Sequence, residues 1–162
     1  MTFVPYFWNE RDGEHISTQV KSLYLATKLD LSAVAAALNS SLFYWWFVLL
    51  SDCRHLNMRE IEWFPLGLEY IPEGIKHELA ELSDKLMTDL ILHSQRKEAY
   101  YATTGQVTYD EFYPKYSKAI IDEIDRVLTK HYGFTEEELD FIINYDIKYR
   151  MGKDSEEDNN GD

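Results

Sequence analysis

Between Asp52 and Arg59 the sequence reads "DCRHLNMR", and four of these side chains carry groups that proteins use on nucleic acid. Arg54 and Arg59 offer guanidinium forks suited to guanine edges or phosphates, and Asn57 offers the amide pair that matches adenine. His55 can donate or accept according to its protonation. Lys21, on an expected second strand, is a fifth candidate for DNA contact. The same charges also admit ordinary surface ion pairs, Arg54 with Asp52 and Arg59 with Glu60 or Glu62.

Other chemistries find less support. The glycines, at 13, 67, 74, 105, 133, 152 and 161, form no GxGxxG and no phosphate loop, so no self-contained nucleotide site is expected. The histidines at 15, 55, 77, 93 and 131 make no HxxxH or HxH pair, and no metal site is expected. Cys53 lies two residues before His55, a spacing that does not present both side chains together on a helix or strand, and there is no GxSxG elbow. Asp146-Ile147-Lys148 matches the end of an acidic-x-Lys nuclease signature, with Asp140 or Asp125 as the earlier acid. No Pro-Asp pair precedes it, and the acids fall on predicted helices, where a solvated face is the simpler reading. No catalytic residue and no metal ligand is assigned.

The elements that must position the 52–59 junction read as α+β, mainly α. Residues 1–29 predict a β-hairpin, with "VPYFW" and "STQVKSLYLAT" on either side of an Asp12-Gly13 turn. Leu31–Leu50 reads as one helix, capped by Asp30 or Ser32, with Leu31, Val34, Ala35, Leu38 and Leu42 at three- and four-residue steps. Around Phe43–Phe47 its apolar character runs all round, which implies burial on every side. "MREIEWFP" predicts a short strand stopped by Pro65, and Gly67–Gly74 a linker. A long central helix follows from about Glu73 to Tyr100, with an apolar seam of Ile75, Leu79, Leu82, Leu86 and Leu90. After a break at "ATTGQ", Tyr116–Tyr132 and the run opened by the Thr135/Glu138 capping box predict a C-terminal helical pair, with Gly133 as the stop between them. The expected divisions are 1–66, 67–103, 104–151 and a disordered acidic tail, 152–162.

Composition narrows the partners. Hydrophobic residues are 45% and charged residues 28% of 162, a balance that can form a core. One cysteine gives no disulfide framework and suits a reducing cytoplasm. The nine apolar residues Leu42–Leu50 fall well short of the ~20 needed to cross a bilayer, so a core helix rather than a membrane partner is expected. The formal charge is −13; "GKDSEEDNNGD" at 152–162 holds five acids and one Lys, contributing −4 and leaving −9 elsewhere. That excludes a blanket attraction to nucleic acid. Any nucleic-acid role must come from a local patch, or from positive charge on another part of a larger assembly.

The stretch "ALNSSLFYWWFVLLSDCRHLNMREIEWFPL" resembles the distal part of the target-recognition region in bacterial adenine-specific DNA methyltransferases of type II restriction–modification systems, the TaqI-like branch included. There a helix of the type LLNSxLFYWxF leads through a short segment to an FPL or IPxP turn and then a long helix. "IIDEIDRVLTKHYGFTEEELDFIINYDIKYRMG" is similar to the C-terminal end of those enzymes and of fused restriction–methylation enzymes. The resemblance runs from about Tyr6 to Gly152. The family's Asn-Pro-Pro-Tyr motif and Gly-rich S-adenosylmethionine loop are not in this sequence; "INYD" at Ile143–Asp146 has no prolines.

The resemblance therefore implies a C-terminal fragment, catalytically silent alone and holding no cofactor, with S-adenosylmethionine bound upstream in the parent enzyme. Its implied partners are the catalytic methyltransferase domain and, within the full enzyme, double-stranded DNA. The pocket that would receive a flipped adenine is also expected elsewhere. Arg54, His55 and Asn57 match the family's helix-to-strand junction and are the first DNA-contact candidates, with Lys21 and Arg59 second. Phe43, Trp45, Trp46, Phe47, Leu50, Ile120, Ile124, Leu128 and Leu139 read as scaffold. Two other functions are weighed. A protein–protein interaction module would use the Ile75–Leu90 seam. An acidic DNA mimic would need acids spaced like phosphates, whereas here they alternate with Lys and Arg.

Overall fold

A computed structural model describes residues 5–16 and 20–151 and shows an α+β, mainly helical chain. The first elements are β1 (Phe7–Asn9) and β2 (Gly13–Glu14), joined by a turn in which the Asp12 N–H donates to Asn9 Oδ1 at 2.6 Å. Asn side chains commonly close turns in this way, and Gly13 supplies the positive φ of 73°. The hairpin is thus present, but its second arm is short. Residues 20–25 have no regular secondary structure, so Lys21 is not on a strand.

Helix α1 (Lys28–Leu38) starts at Thr27, whose hydroxyl accepts the Asp30 N–H, rather than at Asp30 or Ser32. It does not continue to Leu50. Asn39 ends it, and Ser40 opens α2 (Ser41–Leu50) by accepting the Phe43 N–H at 3.0 Å. The two helices meet at 67°. Polar Asn39 and Ser40 offer the backbone local hydrogen bonds that compete with a continuous helix, which the apolar periodicity on either side conceals. Among the described residues no single helix is long and apolar enough to cross a membrane.

Helix α2 is buried only in its first turn, at Ser41, Leu42 and Phe43. Burial on every side is not found: Leu49 and Leu50 are 56% and 44% exposed. "MREIEWFP" is not a strand but α3 (Met58–Glu62), begun at Asn57. Helix α4 (Glu73–Leu92) ends eight residues before Tyr100; His93 caps it, and Gln95–Tyr101 forms β3 instead. Gln, Arg, Lys, Glu and Ala all favour helices locally. Here pairing with the Val-, Thr- and Tyr-bearing β4 (Gly105–Glu111) prevails. The sheet is antiparallel in the order β2-β1-β4-β3, with Phe7 opposite Tyr109 and Tyr109 opposite Lys97.

Helices α5 (Lys118–Tyr132) and α6 (Glu136–Asn144) form the expected pair, and the short α7 (Ile147–Met151) follows. Gly133 takes a left-handed φ of 71° and its N–H donates to Thr129 O, closing α5. Thr135 and Glu138 exchange both capping-box bonds. The core joins Ala33, Ala36 and Ala37 of α1 to Leu79, Leu82 and Leu86 of α4 and to Ile121, Ile124, Val127 and Leu128 of α5. Alanines on one face let two helix backbones approach closely, and Lys76 adds an ion pair to Asp30 at 2.7 Å across the same contact. The Ile75–Leu90 seam is therefore turned inward, so a partner helix has no free access to it. No strand residue belongs to this core, although Val107 is itself buried. The expected disordered tail lies outside the described residues.

Candidate nucleic-acid interface

The 52–59 junction is held by its own backbone. After Ser51 caps α2, Asp52 Oδ1 accepts the N–H groups of Arg54 at 3.0 Å and His55 at 3.4 Å. Those two bonds, that of Arg54 foremost, hold the Asp52 carboxyl below the usual carboxylate range. Cys53 takes a left-handed φ of 56°, and its N–H donates to Ser51 Oγ at 3.0 Å. The loop so formed leaves Arg54, His55 and Asn57 exposed.

On the far side, the junction is anchored by Glu60. Its side chain is fully buried, yet it bonds Arg59 Nη2 at 2.7 Å and accepts the Asn57 N–H at 2.9 Å. Burial works to raise the Glu60 carboxyl, but bonds from Arg59 and from the Glu60 and Asn57 N–H groups outweigh it and hold the group below its usual value. The Trp46 indole N–H donates to Glu60 O at 3.1 Å, tying α3 to α2. Trp46 also lies edge-on to Phe64, which packs in turn against Phe43. The aromatic helix thus does position the polar junction, through Glu60.

The five candidates separate. Lys21, Arg54 and His55 come together around one cleft of about 550 Å³, walled by Leu23, Leu38, Leu56 and Ile61. No carboxylate lines it, and among the described residues neither Lys21 nor Arg54 makes an ion pair. Arg54 meets Asp52 only through its backbone. Arg59 is engaged by Glu60 and stands 5.8 Å from the centre of the Trp63 ring. The Asn57 amide, though exposed, donates to His55 O at 3.2 Å and so stiffens the loop.

A second polar cluster, not assigned from sequence, sits at the other end of α2. Asp125 Oδ1 accepts the N–H groups of Ser41 and Leu42, the first two residues of the helix. Arg150 Nη2 donates to Ser41 Oγ at 2.6 Å, its guanidinium lies over Tyr44, and the Tyr44 hydroxyl donates to Asp146 at 3.0 Å. Burial raises the Asp125 carboxyl and lowers the Arg150 guanidinium. The available signal was an acid in the middle of the apolar Ile121, Ile124, Leu128 stripe. Asp125 is thus buried and Asp146 exposed, each hydrogen-bonded within this cluster, and among the described residues no three His, Cys, Asp or Glu side chains gather as metal ligands. Cys53 directs its sulfur to Val48 O at 3.8 Å, not to His55.

Compared with protein-family models, curated proteins and solved structures, the chain matches none of them.

Proposed function

We propose that this chain is a DNA target-recognition and scaffold segment of an adenine-specific DNA methyltransferase of the restriction–modification type. It is catalytically silent alone, works in the cytoplasm beside a catalytic domain, and leaves S-adenosylmethionine to that domain. Lys21, Arg54 and His55 support this function: two cations without an ion-pair partner among the described residues and an imidazole, from segments about thirty residues apart, face one cleft without a carboxylate in its lining. Phosphate contact requires such unpaired donors, and the duplex would be positioned through its backbone.

The charge of −13 is compatible with this role. Exposed acids more than a Debye length of ~8 Å from the bound duplex are largely screened at physiological salt. Two phosphate contacts give only weak binding, so the chain alone should hold DNA without sequence preference. Fluorescence anisotropy with a labelled duplex at low salt tests this. Weak binding is expected, with a log–log salt slope near about −1.8 for two neutralised phosphates. The Lys21→Ala/Arg54→Ala variant should lose it. Tight, sequence-selective binding by the chain alone, or binding indifferent to both residues, contradicts the proposal. The interaction-module function has no comparable support, because its seam lies in the core.

A further inference from the structure

We infer that the acidic segment 152–162 docks in the Lys21–Arg54–His55 cleft, as a built-in competitor for the phosphates that the cleft is proposed to hold. The inference shares its site with the proposed function but needs only the charge of that site. Its first support is complementarity. The segment carries Asp154, Glu156, Glu157, Asp158 and Asp162 against a single Lys153, while the cleft offers Lys21 and Arg54 without an ion-pair partner among the described residues. Asp52 has Oδ1 committed to the Arg54 and His55 N–H groups, and the buried Glu60 is paired with Arg59. Neither acid lines the cleft.

The second support is where the described chain stops. Arg150, one residue before Met151, lines an apolar cavity of about 340 Å³ together with Leu38, Tyr44 and Leu56. Leu38 and Leu56 also wall the cationic cleft, so one shared wall separates the exit of α7 from Arg54. Eleven residues span up to about 36 Å when extended. Tethering holds the acids near the cleft at an effective concentration on the order of millimolar. Surface ion pairs are individually weak and screened by salt, so occupancy should be high only at low ionic strength.

Cys53, the single cysteine, is exposed one residue from Arg54 and accepts a nitroxide label in the full-length protein. At about 20 mM salt the amide NMR signals of 152–162 should lose most of their intensity to that label. They should recover at about 0.5 M salt, and in Lys21→Glu/Arg54→Glu at low salt. Both side chains are exposed, and unchanged core amide shifts would show that the variant folds. Full tail intensity at low salt, or broadening that survives the charge reversal, overturns the inference. A full-length variant with Asp154→Asn, Glu156→Gln, Glu157→Gln and Asp158→Asn should bind the labelled duplex about threefold more tightly at low salt. Tail broadening that follows this pattern while neither protein binds duplex upholds the docking and overturns both the competition with phosphates and the proposed function.

Discussion

Asp125 Oδ1 lies 2.9 Å from the backbone nitrogen of Ser41, fastening the middle of α5 to the first turn of α2 across 84 residues of chain. A carboxylate at a helix N-terminus satisfies N–H groups that have no partner within the helix. Its other oxygen, Oδ2, is buried and has no hydrogen-bond partner among the described residues. Asp125 is 2% exposed, and that burial raises its carboxyl pKa against the opposing pull of Ser41, Leu42 and Arg150.

The sign of the resulting pH dependence is fixed. The folded state holds the Asp125 proton more tightly than the unfolded state does. Stability from this group is therefore fully present below the unfolded carboxyl value and is lost as pH rises through the folded one. Asp30 and Asp110 act oppositely, because bonds from Lys76 and from Arg96 lower their carboxyls. Asp125→Asn isolates the first effect. Its stability relative to the parent should improve between about pH 3.5 and pH 7, read from urea midpoints. A difference that stays flat or falls with pH would refute it.

Arg54 and Arg59 should behave differently although only five residues separate them. Arg54→Ala removes an exposed side chain that makes no ion pair among the described residues and should change stability by no more than about 0.5 kcal/mol. Arg59→Ala strips the buried Glu60 of its cation and should lower the unfolding midpoint clearly more. Adding Glu60→Gln to Arg59→Ala should restore part of the loss. Equal midpoints for the two single variants would show that Glu60 does not depend on Arg59.

Leu86 is fully buried where α4 meets the core. Leu86→Ala should cost about 2–5 kcal/mol in chemical denaturation. Stability close to the parent's would return the Ile75–Leu90 seam to the surface and revive the interaction-module function.

Where local rules decide, the sequence was readable. The left-handed Gly133 and the Thr135/Glu138 capping box mark the α5–α6 boundary through bonds between near neighbours in sequence. The α1–α2 corner was also written in Asn39 and Ser40, but an unbroken apolar period obscured it. Strand β3 was not legible, because its residues favour helix and its partner β4 had to be recognised as well. At the site, residue chemistry picked out Arg54, His55 and Lys21. It could not tell that Asn57 and Arg59 are occupied, because Glu60 is an acid whose burial only packing reveals. Nor could it show Lys21 sharing a cleft with Arg54, since no regular element links them.

The pairing of β1 with β4 joins residues about a hundred positions apart, Tyr6 to Asp110 among them. Closing so long a loop carries an entropic cost that neighbouring hairpins avoid, and distant pairings of this kind slow folding. The β3–β4 hairpin and the short β1–β2 hairpin can each form locally, whereas the four-stranded sheet exists only once β1 meets β4. The β1–β4 seam is thus the last part of the sheet to close.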